Sequence, residues 1–158
     1  MARKMAVITG AASGVGKATA PVFIKNGAKV VLADIRDDVG RAVATDLGPR
    51  ASYTRCEVKD EAQLAAIVEL RGHLYFNAGV DQRVDDAPDM EEFDRVMATN
   101  ARATVAAVKH GARQRLHPEH GQRGGVMPHV YSVSKTAVLG LVRSVAGELR
   151  SWRATACG

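Results

Sequence analysis

The sequence predicts an α/β fold in which parallel strands form one sheet and helices wind over both of its faces. Three observations predict it. Short β-rich apolar runs alternate with segments of helical period, a glycine-rich turn joins the first run to the first helix, and an acidic residue closes the second run. Met5 to Thr9, closed by Gly10, and Ala28 to Asp34, flanked by Gly27 and a charged turn, read as buried parallel strands. Between them Val15, Ala18, Thr19, Val22 and Phe23 recur at helical spacing and build the crossover of a βαβ unit. Pro21 lies inside that helix, removes a backbone donor and is expected to kink it or cost about 3 kcal/mol. A second helix from about Asp37 to Leu47 ends at Gly48-Pro49, and a third strand is expected from Ala51 to Val58. Asp60 then caps a helix carrying Leu64, Ile67, Val68 and Leu70, and Leu74-Tyr75-Phe76 reads as a cramped fourth strand. Two long helical patterns follow, from Asp89 to about Ala112 and from about Val130 to Arg150. Between them Arg113 to Pro128 carries no apolar run where the rhythm requires a strand.

Length and composition narrow the function classes. At 158 residues, 46% hydrophobic and 25% charged, the chain is expected to form one domain over residues 1–158. Cys56 and Cys157 are its only cysteines, which excludes a disulfide framework or a CxxC pair and fits reduced thiols in the cytoplasm. No apolar stretch reaches the length of a membrane span. The net charge of +5 admits anionic partners, but with 4% aromatic residues the chain offers few stacking platforms, so neither nucleic acid nor membrane is expected as a partner.

The turn Thr9-Gly10-Ala11-Ala12-Ser13-Gly14-Val15-Gly16 follows a strand and opens a helix, the setting in which glycines let backbone amides approach a pyrophosphate. Asp34 ends the second strand 18 residues after Gly16, where a carboxylate accepts from an adenosine ribose and repels a 2′-phosphate, which favours NAD over NADP. Arg36 is the counter-signal, because a guanidinium can receive that phosphate. Taken alone, the same residues describe an ordinary strand-helix turn beside a solvated strand end. Tyr131 and Lys135 stand four residues apart, on one helical face. An ammonium beside a phenol lowers a pKa that is ordinarily about 10 and makes the hydroxyl a usable general acid or base.

Thr9-Gly10-x-x-x-Gly14-x-Gly16, Asp34, Asn77-Ala78-Gly79, Asn100 and Tyr131-x-x-x-Lys135 occur in an order that resembles the short-chain dehydrogenase/reductase family. The resemblance covers residues 4–150. Tyr53 to Cys56 and His129 to Lys135 are similar in wording to the plant branch that contains secoisolariciresinol dehydrogenase, xanthoxin dehydrogenase and momilactone A synthase. It implies a Rossmann-type doubly wound parallel sheet, incomplete at the C-terminal side, and NAD-linked chemistry on an alcohol or ketone. By that resemblance Tyr131 exchanges a proton with the substrate oxygen, Lys135 holds the nicotinamide ribose and depresses the tyrosine pKa, and Asn100 holds a water in the proton relay. Gly10, Ser13, Gly14, Val15 and Gly16 then contact the cofactor at the turn, Asp34 its ribose, and Asn77, Ala78 and Gly79 its adenosine side. Glu57-Val58 stands where the family commonly writes Asp-Val beside the adenine.

The sequence also departs from that pattern. Arg113 to Pro128 contains no serine, where the family places one that hydrogen-bonds the substrate oxygen. Ser134 is a substitute carried on a different element. Phe76 stands at the first asparagine of the family's Asn-Asn-Ala-Gly, and the chain stops eight residues after Arg150, so impaired turnover is expected. The alternative is a noncatalytic remnant that binds dinucleotide weakly or pairs with relatives. Pairing, as a homo-oligomer, would use the helices around Asn100 and Tyr131. His110, His117, His120 and His129 suggest a metal site by their spacing, but the surrounding Arg113, Arg115 and Arg123 and the lack of a positioning framework make a solvated basic loop the better reading.

Overall fold

The computed structural model describes residues 5–70, 72–81, 90–114, 131, 134–140 and 142–143. In chain order the elements are β1 (Met5–Thr9), α1 (Gly14–Lys25), β2 (Lys29–Asp34), α2 (Asp37–Leu47), β3 (Ala51–Arg55), α3 (Glu61–Val68), β4 (His73–Tyr75), α4 (Met90–Met97), a π-helical turn (Ala98–Arg102) and α5 (Ala103–Gln114). Residues 134–140 are helical as well. The strands are parallel and ordered β3-β2-β1-β4. The chain therefore winds outward from β1 to β3 and then returns to the other side of β1. The paired β1 and β4 mark the switch point, beyond whose carboxyl ends α/β sheets open a crevice.

Alternation along each strand divides the core between two faces. Ile8, Val30 and Leu32 point to one face and pack with Ala20 of α1 and Val43 of α2. Val7, Ala33 and Leu74 point to the other, against Leu64, Ile67 and Val68 of α3 and Ala103 and Ala107 of α5. Burial on both faces explains why these strands read as continuous apolar runs.

Several boundaries differ from the sequence expectation. β2 begins at Lys29 rather than Ala28. β3 stops at Arg55 because its partner β2 ends there: Asp34 pairs with Arg55, Cys56 N–H still reaches Asp34 C=O at 3.0 Å, and the chain then turns into the Asp60 cap. β4 is shifted one residue, to His73–Tyr75, because Phe76 leaves the ladder to fill the core beside Leu74 and Ala107. Leu70 lies past the end of α3 and is exposed. α1 runs through Pro21 without ending. Lys17 and Pro21 both lie on its exposed side, so the carbonyl that loses its helical donor faces water. The long helical pattern starting at Asp89 is two helices joined by the wide turn, in which Ala103 N–H donates to Ala98 C=O. Asp89, residues 115–130 and residues 144–158, with the expectations that fall on them, lie outside the described residues.

Candidate active site

The glycine turn is built by close approach as much as by flexibility. Gly10 has φ +66°, and a side chain on it would begin 2.9 Å from Ala78 Cα, so position 10 fits a residue without Cβ on both counts. Gly16 is closed by contact alone, because a Cβ there would stand 2.4 Å from the Gly10 carbonyl. Gly14, at φ +52°, faces open space. Thr9 ties this turn to the end of β4: its fully buried hydroxyl accepts from Asn77 N–H at 2.9 Å and from Ala78 N–H at 3.0 Å. The Asn77 amide returns the contact by donating to Thr9 C=O at 3.1 Å. Asn77, Ala78 and Gly10 thus lie side by side across the β1/β4 switch point.

At the end of β2, Asp34 is buried and its carboxylate is already engaged. Oδ2 accepts from Ala12 N–H at 2.9 Å, and Oδ1 accepts from Arg36 N–H and Arg36 Nε, both at 3.1 Å. Arg36 then donates to Ser13 Oγ at 2.8 Å, so Ser13, at the N-cap position of α1, makes no side-chain cap of its own. Burial raises the Asp34 pKa, but the Arg36 and Ala12 hydrogen bonds outweigh it and hold the carboxyl below its ordinary value. The stabilisation that follows is fully present above about pH 4, the unfolded carboxyl value, and is lost as pH falls through the lower folded one. Urea titration at falling pH is therefore expected to show a steeper loss of stability below about pH 4 in the parent chain than in Asp34→Asn.

The wide turn between α4 and α5 places Asn100 in the interior, 1% exposed. Its amide brackets one residue: Oδ1 accepts from Val80 N–H at 2.8 Å while Nδ2 donates to Val80 C=O at 2.9 Å. Because Val80 N–H only donates and its C=O only accepts, these bonds fix the orientation of the amide. Arg95 continues the support by donating to Asp81 C=O at 2.6 Å and to buried Glu92 through two nitrogens. A side chain on Gly79 would begin 3.2 Å from Asn100 Oδ1 and 3.3 Å from Lys135 Nζ, so the glycine leaves room where frame and ammonium converge.

Tyr131 and Lys135 meet as the spacing predicts, with the ammonium 5.1 Å from the centre of the phenol ring. The electrostatics differ from the expectation. Burial, followed by the negative charge of Asp81, raises the Tyr131 pKa above its ordinary 10, and burial lowers that of Lys135. The Lys135 ammonium stands over the ring, and the charge of Asp81 opposes the phenolate. Tyr131 alone is therefore a protonated acid at neutral pH.

The remaining expected residues divide. Val15 is exposed at the start of α1, and Val58 is buried beneath the sheet's end. The Glu57 carboxylate turns back on its own loop, to Lys59 N–H at 3.1 Å. Ser134 is fully buried and bonded to Asn100 and Tyr131, so it is not available as a replacement for the missing serine. His110 bonds Glu61 at 3.1 Å between α5 and α3, while His117, His120 and His129 lie outside the described residues. Thr9 as a strut, the Arg36–Ser13 contact and the Arg95 support were not read from the sequence. The Thr9-Gly10 wording and the short Asp34–Arg36 separation were the available signals for the first two; Arg95 had none.

Comparison with known proteins agrees with this geometry. The family model for short chain dehydrogenases matches residues 4–157. Short-chain dehydrogenase reductase 3a of Arabidopsis thaliana is 37% identical over 92% of this chain and 65% of its own length. Momilactone A synthase of Oryza sativa subsp. japonica is 38% identical over 92% and 61%, and sex determination protein tasselseed-2 of Zea mays 38% over 94% and 51%. The chain thus spans about half to two thirds of the length of these relatives. The crystal structure of a short chain dehydrogenase/reductase from Burkholderia phymatum in complex with NAD superposes with a TM-score of 0.84 at 26% identity, covering 94% of this chain and 61% of that one. With the glycine turn, the Asn100 bracket and the Tyr131–Lys135 pair in one crevice, and a family match over nearly its whole length, the chain belongs to the short chain dehydrogenase family.

Proposed function

We propose that the chain carries out NAD-dependent oxidoreduction of an alcohol or ketone, with slow turnover. The observation that carries this reading is the convergence of Lys135 Nζ and Asn100 Oδ1 at Gly79, one residue from the Ala78 backbone that packs against Gly10 of the glycine turn. The residues fit a dinucleotide: Gly14 leaves open space at the start of α1, Ser13 does not cap that helix, and Asp34 ends the neighbouring strand. A bound nicotinamide supplies the hydride chemistry. Tyr131, protonated at neutral pH, donates its phenolic proton to the carbonyl oxygen in reduction, and its phenolate takes the proton from the alcohol in oxidation. In this reading Lys135 holds a ribose hydroxyl and brings positive charge to the site. Asn100 acts by holding Val80, and with it the segment facing both groups.

Slow turnover is supported by the serine-free stretch from Arg113 to Pro128 and by the commitment of Ser134 elsewhere; loss of one such donor costs about 10²- to 10³-fold. The NAD preference is supported by Asp34, although Arg36 covers it with a half-exposed guanidinium. Arg36→Ala is accordingly expected to weaken NADPH binding about tenfold or more and NADH binding little, as read by fluorescence titration of both cofactors. The same reading includes a cytoplasmic location, supported by the low cysteine content, and pairing of copies through the helices around Asn100 and Tyr131, where Val105 of α5 is half exposed.

An assay with secondary alcohols and the matching ketones tests the proposal. NADH-dependent ketone reduction that disappears in Tyr131→Phe supports the enzyme. Cofactor binding without turnover supports the second reading, a noncatalytic dinucleotide binder, which the missing serine favours.

A further inference from the structure

Ser134 lies in the interior, 0% exposed, and joins two elements far apart in sequence. Its hydroxyl accepts from Asn100 Nδ2 at 3.1 Å and donates to Tyr131 C=O at 2.7 Å. The two bonds use the one hydroxyl proton and one oxygen lone pair in complementary senses, so neither competes with the other. Asn100 Nδ2 has two protons, and the second is held by Val80 C=O. A continuous path therefore runs from Val80, beyond β4, through the Asn100 amide in the π-helical turn, to the Ser134 hydroxyl and the backbone of Tyr131. Such hydrogen bonds polarise one another, most strongly between the buried Asn100 and Ser134, which stiffens the chain of contacts as a unit. Lys135, next to Ser134, stands beside the same Gly79 that Asn100 borders.

We infer that Ser134 is a positioning residue, whose hydroxyl locks the helix bearing Tyr131 and Lys135 against the Asn100 turn and so sets where both side chains stand in the crevice. It touches neither substrate nor cofactor. Its effect passes through the backbone of Tyr131 and the adjacent Lys135, and the inference rests on the reading of those two as the reacting pair. The wide turn explains why the lock exists: it presents the Asn100 amide toward Ser134 and Val80 at once. The Tyr131 phenol then stays in the half-buried setting near Asp81 that raises its pKa.

The test is ultraviolet difference titration of tyrosine ionisation in the full chain, with Tyr131→Phe subtracted to isolate one phenol. Tyr53, pushed up to about 12 by burial and by its bond to Asp37, ionises later. Ser134→Ala is expected to lower the Tyr131 midpoint by about half a pH unit or more, toward the ordinary 10, and Ser134→Thr to restore it. Where Ser134→Ala does not give a cooperative thermal melt, Ser134→Cys, which keeps the volume and weakens both bonds, is expected to show a smaller shift in the same direction. An unchanged midpoint in the folded alanine or cysteine variant overturns the inference, as does a threonine variant that shifts as far as alanine. NADH titration of the parent chain is run separately. Failure to bind removes the cofactor reading, while the Tyr131 midpoints still report on Ser134.

Discussion

Thr9→Val is expected to lower the stability of the fold by about 2–4 kcal/mol, because it leaves the amides of Asn77 and Ala78 without their acceptor and each orphaned buried donor costs about 1–3 kcal/mol. Valine nearly matches threonine in shape, so packing is kept and the loss isolates the hydroxyl. The side chain is fully buried and its two partners lie 68 and 69 residues away, so water cannot replace the hydroxyl without opening the β1/β4 junction. At about 2–4 °C per kcal/mol for a chain of this size, the melting midpoint should fall by about 5–15 °C. Thr9→Ser keeps the acceptor and should recover most of the difference. Melting followed by circular dichroism checks the ranking. A valine variant as stable as the serine variant would mean that the hydroxyl is not what joins the two strand ends.

Asn100→Ala should combine a stability loss with a functional one. It removes a buried amide that makes three hydrogen bonds, frees the Val80 backbone and leaves Ser134 without its donor, for an expected cost of about 2–4 kcal/mol. In the proposed function it also loosens Gly79 and the helix at 134–140, so NADH affinity should fall about tenfold, equivalent to about 1.4 kcal/mol. Fluorescence titration below the melting range reads that change. Asn100→Asp keeps the acceptor for Val80 N–H but loses both donors, and is expected to fall nearer to alanine than to the parent. Parent-like binding by both variants would assign the Val80 bracket to folding alone.

The strands and helices of the first half were legible because burial on both sheet faces writes them as apolar runs separated by glycine and charged turns. β1 and α2 appear where the sequence placed them. The weaker expectations concerned features set by partners rather than by local pattern. β3 ends where β2 ends, and β4 takes its register from Ala6, Val7 and Ile8, so neither boundary is encoded in its own residues. The turn at Ala98–Arg102 interrupts a run that reads as unbroken helix, because one wide turn changes the helical phase too little to disturb a short periodicity. Candidate site residues were legible as motifs, but their electrostatics were not. Asp34 reads as a free carboxylate until Arg36 folds over it, and Tyr131 reads as activated by Lys135 until the chain brings Asp81 near and sets the ammonium over the ring face. Both outcomes depend on where charged side chains go after the backbone is fixed.

Direct titration of the full chain with NADH, followed by the cofactor's own fluorescence, tests the central claim that the glycine turn and the Tyr131–Lys135 helix form one dinucleotide site. The expected result is saturable binding at micromolar NADH that is lost in Gly16→Val, whose side chain would collide with the Gly10 carbonyl, and weakened in Asn100→Ala. No saturable signal up to millimolar NADH in the folded parent chain, or binding that Gly16→Val leaves intact, would contradict it.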